Sequence, residues 1–245
     1  MKPWRHPLFL KAYGGLPHPL LDRSIAWLMR RERPRWLVDA LIAGWIRRGA
    51  IAMADFEPGP FASAEAFFLR RLAPGARPIA ALAEDQPTSP VDGVVVSEGH
   101  DLVVKGQRLS LATLCGRPSE AAATLSIFLT PDGYHHVHAP LAGVVRAVRP
   151  IAGRTFPQND DALGVRPDVY LRNARVVVEA DGWTLVLVAA SLIAHIEVDV
   201  QVGDNLSRGD MLGRFRFGST VVLLLPAAHA WHHAAGAVVR LGEAL

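Results

Sequence analysis

The spacing of apolar residues divides the chain into a helical N-terminal part and a strand-rich remainder. Over 21–32 and 36–48, apolar residues recur at every third or fourth position, which predicts two amphipathic helices. Pro34 separates the two segments, because proline does not fit the interior of a helix. A third apolar segment, 62–72, runs into a Pro-Gly pair, which predicts the end of a third helix there.

From residue 92 onward the apolar residues form short runs broken by glycine and proline, the pattern of β-strands joined by turns. The predicted strands lie at 93–97, 102–105, 125–129, 134–138, 144–148, 175–180, 184–189, 193–200, 212–217, 221–225 and 237–241. Many short strands at such spacing are typical of a sandwich or a distorted barrel. The expected fold class is therefore α+β, with N-terminal amphipathic helices over 1–60 and a β-rich domain over 61–245.

Positive charge is concentrated in the helical part. Residues 1–49 contain ten Lys or Arg and three Asp or Glu, a net charge of +7, whereas the whole 245-residue chain carries +3. This asymmetry indicates an acidic partner, either nucleic acid or anionic lipid. Trp27, Trp36 and Trp45 lie in the predicted helices, and tryptophan suits the lipid headgroup boundary, so the pattern favours a helix pair on an anionic membrane and no nucleic acid. Two helices packed on the rest of the protein with a solvated basic rim also fit.

The sequence predicts no membrane span. The longest apolar stretch, 183–196, includes a serine and a histidine and is shorter than the about 20 residues that a spanning helix needs. The first residues lack the apolar run of a cleaved signal peptide. Cys115 is the single cysteine, so no internal disulfide is expected and a small core residue is the usual role. We therefore expect a peripheral protein on the cytoplasmic face of the cell membrane.

Three separate segments supply residues that could activate a hydroxyl group. Ser219 follows a glycine, so its hydroxyl could attack the carbonyl of the preceding residue, and Asp92 and the segment 134–140 supply an acid and histidines. Within that segment, strand alternation places His136 and His138 on one face and His135 on the other. The chain contains no HExxH or G-x-S-x-G pattern, so neither a metal site nor plain serine hydrolysis is favoured. We expect no special role for the three histidines His229, His232 and His233.

These segments occur in the order of a known family. The motifs are Phe-Phe-Leu-Arg-Arg-Leu-Ala-Pro-Gly-Ala-Arg-Pro at 67–78, Ser-Pro-Val-Asp-Gly at 89–93, Lys-Gly-Gln at 105–107, Leu-Cys-Gly at 114–116, Tyr-His-His-Val-His-Ala-Pro at 134–140 and Gly-Asp-Met-Leu-Gly-Arg-Phe-Arg-Phe-Gly-Ser-Thr at 209–220. Each motif is weak alone, but together and in order they resemble the phosphatidylserine decarboxylases, pyruvoyl-dependent enzymes that make phosphatidylethanolamine. The resemblance covers most of the chain after the first helices.

The resemblance implies self-cleavage between Gly218 and Ser219. Asp92 would be the acid, His138 the base and Ser219 the nucleophile, since a serine hydroxyl is a weak nucleophile until an oriented base activates it. The products would be fragments 1–218 and 219–245, which stay associated, and Ser219 would become the pyruvoyl cofactor. The region 61–245 would then be the catalytic domain.

The resemblance also implies a role in decarboxylation for His135. The pyruvoyl group serves as an electron sink, and a histidine with an ordinary pKa suits a proton donor near neutral pH. The implied substrate is phosphatidylserine in an anionic membrane, with release of CO2, and the family suggests a homo-oligomer, a dimer. We expect a structural role for His136 and no metal.

The chain departs from the family pattern at three positions. Gly133 stands where an acid usually precedes the Tyr-His pair, so if that acid orients the tyrosine, Asp132 has to reach it by another path. His195 stands where a small residue is usual, and it could narrow the substrate pocket or be a core histidine. Met211 replaces a common acid. These changes affect the expected substrate detail more than the expected self-cleavage.

Two other functions fit the sequence less well. One is a homologue that no longer cleaves itself and binds a lipid or a protein partner. The other is a pyruvoyl-dependent decarboxylase of a different amino-acid-type substrate.

Overall fold

The computed structural model describes residues 24, 26–158, 160–190, 195–216 and 219–245. The helices are α1 (Arg35–Gly49), α2 (Ala64–Phe68), α3 (Leu111–Cys115), α4 (Asp160–Val165) and α5 (Val169–Arg172), with a short 3-10 turn at Met53–Asp55. The first predicted helix, 21–32, lies partly outside the described residues, and its described part is helical over 26–29. The third predicted helix is shorter than expected and corresponds to α2.

Strands make up most of the chain after residue 92. They are β1 (Gly93–Gly99), β2 (Val103–Val104), β3 (Gln107–Arg108), β4 (Ala123–Leu129), β5 (His136–His138), β6 (Gly143–Ile151), β7 (Arg175–Ala180), β8 (Trp183–Ala189), β9 (Ile196–Val198), β10 (Asn205–Leu206), β11 (Met211–Phe215), β12 (Ser219–Leu225) and β13 (Val238–Val239). All eleven predicted strands overlap an observed one, whereas β3, β10 and the helices α4 and α5 were not expected.

Eight strands form one antiparallel sheet in the order β10-β6-β7-β8-β12-β4-β1-β13. The strand β12 lies inside this sheet and pairs with β4 and β8 on its two sides. All seven of its residues are buried, because both faces of the sheet are covered and a continuous run of apolar residues suits a strand buried on both faces.

A smaller sheet, in the order β5-β11-β9, packs on one face of the large sheet. Val137, Leu212 and Phe215 of the small sheet share one hydrophobic core with Leu125, Ile127, Val221 and Leu223 of the large sheet. The opposite face of the large sheet is covered by α3, α4, α5 and the β2-β3 hairpin around a second core. Cys115 is fully buried in that second core, as expected for a small core residue.

The helix α1 packs on α2 through one face only. Val38 and Ile42 are buried against Phe67 of α2. On its other face, Trp36 is 71% exposed and Leu41 is 45% exposed. The alternative of a helix packed on the protein is therefore correct for one face of α1, and the other face is free to contact a partner.

The α+β class is confirmed. The large sheet ends at β10 and β13, so the strands that the structure describes do not close into a barrel. The boundary expected at residue 60, between the helical region and the β-rich domain, stays a prediction. The helix α1 lies before this boundary and packs directly on α2, which lies after it.

Candidate active site

Ser219 is the first residue of the central strand β12. It pairs with Leu129 on one side and Ala189 on the other, and directly opposed residues share a face of the sheet. Leu129 belongs to the core between the two sheets, so Ser219 faces that core as well. The Ser219 side chain is fully buried, and its Oγ has no hydrogen-bond partner among the residues that the structure describes. Gly218 lies outside the described residues.

Ion pairs fix the chain just before Ser219. Arg216 pairs with Glu197 of β9 at 2.5 Å and with Glu65 of α2 at 3.1 Å. Arg214 donates a further hydrogen bond to Glu197 at 2.6 Å. These ion pairs tie β11 and the residue after it, Arg216, to β9 and α2.

The three histidines of the segment 135–138 point to two different sides. Val137 of β5 belongs to the core between the sheets, and His135 shares its side by strand alternation; the ladder extends that far, because Phe215 N donates to the His135 carbonyl at 2.9 Å. His136 and His138 instead line a cavity of about 380 Å³ together with Tyr134. The predicted division of the histidines between two faces is confirmed, and it places His135 on the same side as Ser219.

His138 is held by one hydrogen bond at each ring nitrogen. Its Nδ1 lies 2.8 Å from the Gly209 carbonyl and its Nε2 lies 3.1 Å from the Tyr134 hydroxyl. A carbonyl only accepts hydrogen bonds, so the proton is on Nδ1 and the hydroxyl donates to Nε2. Burial raises the pKa of Tyr134 above its ordinary value, and Tyr134 therefore stays a neutral donor. Burial also lowers the pKa of His138, although the Gly209 carbonyl, Asp210 and Asp92 oppose this effect.

His135 is completely buried and has one ring nitrogen free. Its Nδ1 donates to the Gly133 carbonyl at 3.1 Å, and its Nε2 has no hydrogen-bond partner among the described residues. Burial, reinforced by the positive charge of Arg70, lowers the pKa of His135 to about 3. The expectation of an ordinary pKa was therefore wrong. At neutral pH His135 is uncharged, and its Nε2 carries a lone pair that can accept a proton.

Asp92 forms its hydrogen bonds with Arg77 and the backbone. Arg77 donates to both carboxylate oxygens, at 3.0 Å and 2.8 Å, and Leu241 N donates to Oδ1 at 2.8 Å. Arg77 also pairs with Asp55 at 3.0 Å. None of these hydrogen bonds goes to His138, and the effect of Asp92 on His138 is electrostatic: it opposes the lowering of the His138 pKa by burial.

The structure therefore does not join the three predicted cleavage residues by hydrogen bonds. Within the described part of the chain, Asp92 bonds to Arg77, His138 to Tyr134 and Gly209, and Ser219 to no partner. The Gly209 carbonyl fixes the His138 tautomer, the task expected of the acid. In this arrangement the Tyr134 hydroxyl donates to Nε2 of His138, the nitrogen that would have to accept the Ser219 proton in the predicted cleavage.

Asp132 does not reach the tyrosine. Its Oδ1 accepts a hydrogen bond from Trp45 Nε1 at 2.8 Å, which links α1 to the turn before Tyr134. The Tyr134 hydroxyl bonds to His138 instead. The loss of the usual acid at Gly133 thus leaves the tyrosine oriented by a histidine.

The remaining histidines have other surroundings and contacts. His195 is exposed, so the alternative of a core histidine was wrong. His229 and His233 bond to the carbonyls of Leu245 and Ala244 at 2.9 Å and 3.0 Å, contacts that hold the last residues of the chain. His136 donates to the Leu69 carbonyl at 3.1 Å. The described residues contain no cluster of three or more His, Cys, Asp or Glu that could bind a metal.

Known proteins resemble this chain over nearly its whole length. Residues 64–245 match the family described as phosphatidylserine decarboxylase. The phosphatidylserine decarboxylase proenzyme of Pseudomonas aeruginosa (strain LESB58) is 33% identical over 282 aligned positions, which cover 97% of this chain and 96% of the relative. The proenzyme of Pseudomonas entomophila (strain L48) is 33% identical with the same coverage. This chain belongs to the phosphatidylserine decarboxylase family.

Membership of the phosphatidylserine decarboxylases confirms the predicted enzyme class, a carboxy-lyase that converts phosphatidylserine to phosphatidylethanolamine with release of CO2. Among solved structures, the crystal structure of cbpa from L. salivarius REN aligns with a TM-score of 0.29 and 20% identity, over 57% of this chain and 77% of that chain. A likeness of this size supports no conclusion about fold or function.

The site fits a prosthetic group built from Ser219. A ketone at this position would lie in a dry interior, because the Ser219 side chain is fully buried. The buried Ser219 Oγ and His135 Nε2 are both without a hydrogen-bond partner among the described residues, and such orphaned polar atoms are uncommon unless a site uses them.

Sequence reasoning gave no role to two arginines of the site. Arg77 binds Asp92, and Arg70 is buried beside the turn that precedes the histidines. Both belong to the motif at 67–78. In that motif Arg70 closely follows Phe67 and Phe68, and this proximity to two aromatic residues was the available sequence signal for a buried cation.

Proposed function

We propose that the chain is the self-processing precursor of a pyruvoyl-dependent phosphatidylserine decarboxylase, cleaved between Gly218 and Ser219. The observation that carries this proposal is the buried, unpartnered Oγ of Ser219 directly after that peptide bond. Cleavage gives the fragments 1–218 and 219–245. The β12 strand of the small fragment remains paired with β4 and β8 of the large fragment, so the two stay together.

Self-cleavage needs a base but no external oxidant. Ser219 Oγ loses its proton and bonds to the Gly218 carbonyl carbon, and the Gly218–Ser219 C–N bond then breaks to leave an ester. Removal of the Ser219 α proton breaks the Cβ–O bond, which releases residues 1–218 as a carboxylate. The remaining dehydroalanine takes up water and loses ammonia, which leaves a ketone.

We assign the base to His138 and the supporting charge to Asp92. His138 Nε2 is unprotonated in the free chain, as a base requires. Because His138 lies on the face of β5 away from Ser219, cleavage requires a local rearrangement that brings this nitrogen from the Tyr134 hydroxyl to the Ser219 hydroxyl. Asp92 then stabilises the imidazolium by its charge, while Gly209 holds Nδ1–H.

His135 moves the proton during decarboxylation. The pyruvoyl group, when formed, supplies an electron sink for the electron pair that CO2 leaves behind. His135 Nε2 takes a proton from the substrate ammonium group and later returns it to the substrate α carbon. The low pKa of His135 makes the uptake of that proton costly and its return to carbon favourable, and the burial of the ring excludes competing water.

The membrane surface that we propose is the exposed face of the N-terminal helical segment. It displays the apolar side chains of Trp27, Leu28, Trp36 and Leu41, which are 58%, 47%, 71% and 45% exposed. Exposed arginines surround them, at positions 30, 31, 33, 35, 47 and 48. No helix among the described residues is long and apolar enough to cross a membrane. The proposed attachment is peripheral and on the cytoplasmic face, and a homo-oligomer stays a prediction.

Carbon dioxide release from carboxyl-labelled phosphatidylserine in mixed micelles tests the substrate. We expect release from phosphatidylserine and none from free serine, together with a mass of the small fragment that matches a ketone at residue 219. Release from a free amino acid but not from the lipid would favour the other pyruvoyl-dependent decarboxylase. A single uncut chain without activity would favour the binding homologue.

Changing Trp36 and Leu41 together, to Ser and Gln, should weaken liposome flotation at least tenfold. Each apolar side chain contributes about 1.5–3 kcal/mol when it leaves water, and the arginines contribute about 1 kcal/mol each near anionic lipid. Flotation of the native protein should also fall with added salt, because salt screens charge. Val202→Ser is the matched control, since Val202 is 64% exposed outside the helical segment. If the double variant floats with liposomes as well as the native protein does, this surface is not the membrane-binding surface.

A further inference from the structure

Arg70 is a buried cation without a carboxylate partner among the described residues. Only 2% of Arg70 is exposed, and its guanidinium lies over the rings of Phe56 and Phe67, at 4.2 Å and 4.7 Å from their centroids. Burial lowers the pKa of Arg70 to about 10, so it remains charged at neutral pH. Moving an ion out of water without an opposite charge beside it lowers the stability of the fold. We therefore expect Arg70 to have a role that offsets this loss.

Each hydrogen bond of Arg70 goes to a backbone carbonyl. Nη1 donates to the Phe67 carbonyl at 3.1 Å, and Nη2 donates to the carbonyls of Asp132 and Gly133, the second at 3.0 Å. Two adjacent carbonyls of one turn are thus bound by a single rigid group. On the other side of this turn, Trp45 holds the Asp132 side chain.

The Gly133 carbonyl has a second donor, His135. It accepts the Nδ1 proton of His135 at 3.1 Å while also accepting from Arg70. Phe68, two residues before Arg70, packs on the imidazole with 3.8 Å between ring centroids. The short segment 67–70 therefore controls both the ring plane of His135 and the carbonyl that receives its proton.

We infer that Arg70 is a positioning residue for the decarboxylation: it fixes the Gly133 carbonyl, which holds the His135 proton on Nδ1 and leaves Nε2 free toward the Ser219 side. This inference rests on the proposed function. The planar fork of arginine suits two adjacent carbonyls, whereas lysine offers a point charge on a flexible stem. The charge of Arg70 also opposes protonation of His135.

Nitrogen-15 NMR of the histidine rings tests the inference without an activity assay. The His135 signals are assigned by their loss in His135→Asn. At pH 7 the native protein should show His135 as neutral with the proton on Nδ1, and Arg70→Met should show a mixture with the Nε2–H form. A charged ring or an Nε2–H ring in the native protein would overturn the inference before any arginine variant is made.

Kinetics give the second readout. Per cleaved molecule, kcat should fall at least tenfold in Arg70→Met and less in Arg70→Lys, with self-cleavage retained in both. Arg146→Met is the control for the loss of one arginine, because the Arg146–Asp181 pair is exposed on the outer part of the large sheet. Native kcat together with the native tautomer in Arg70→Met would overturn the positioning role. Lack of activity in the native protein and in Arg146→Met would instead count against the proposed function.

Discussion

Ser219→Ala should leave the chain as one uncut polypeptide of 245 residues without decarboxylase activity. The native protein should separate into fragments of 218 and 27 residues on a denaturing gel. The physical reason is that cleavage and the ketone both derive from one oxygen atom, the buried Ser219 Oγ, and alanine has no atom to replace it. The loss should therefore be complete, with no residual rate that another group could supply.

Stability should not explain that loss. The Ser219 Oγ has no hydrogen-bond partner among the described residues, so its removal breaks no described contact, and removing a buried polar group that lacks a partner can be neutral or stabilising. Ser126→Ala is the matched control, because Ser126 is a buried serine on the adjacent strand β4, opposite Val222. It should cleave at the native rate. A cut Ser219→Ala chain, seen by intact mass spectrometry, would refute cleavage by this hydroxyl.

His135→Asn should cleave itself normally but lose decarboxylation by about 10²–10⁴-fold, the usual effect of removing a general acid-base group. The asparagine amide can still donate to the Gly133 carbonyl, as His135 Nδ1 does, whereas the Nε2 lone pair is lost. The variant thus removes the proton carrier with little change in the turn. Single-turnover CO2 release per cleaved molecule measures the effect separately from cleavage.

His138→Asn is the matched comparison. Its amide can still donate to the Gly209 carbonyl, the present partner of Nδ1, and the atom lost is again Nε2. We expect this variant to remain uncut. The opposite result, with His135→Asn uncut and His138→Asn cleaved, would assign the cleavage base to His135, which lies on the same side as Ser219.

The sequence predicted the division of the histidines between two faces of a strand. This follows from the alternation of side chains along a strand, which is a property of the local backbone. It did not predict the partners of those histidines. The carbonyl that fixes His138 lies 71 residues away, in Gly209, and no local pattern indicates which backbone oxygen a folded chain will bring to a ring nitrogen.

The helical segment shows the same limit. The amphipathic spacing predicted α1, but two alternatives for its apolar face remained open, lipid or protein. In the structure, part of the apolar surface of α1 packs against Phe67, whereas Trp36 and Leu41 remain exposed. Which apolar residues are covered depends on the shape of the surface beneath the helix, and the sequence does not contain that shape in any local form.

The sequence by itself determined the family and the α+β class, because these follow from residue type, order and period, and it supplied the proposal for which residues carry the chemistry. Only the tertiary structure decided that His135 is a neutral ring with a pKa of about 3, that the Tyr134 hydroxyl bonds to Nε2 of His138, and that Arg70 binds the turn before them. The physical reason is that protonation state depends on burial and on nearby charges and dipoles. Contacts between residues far apart in the chain create those surroundings.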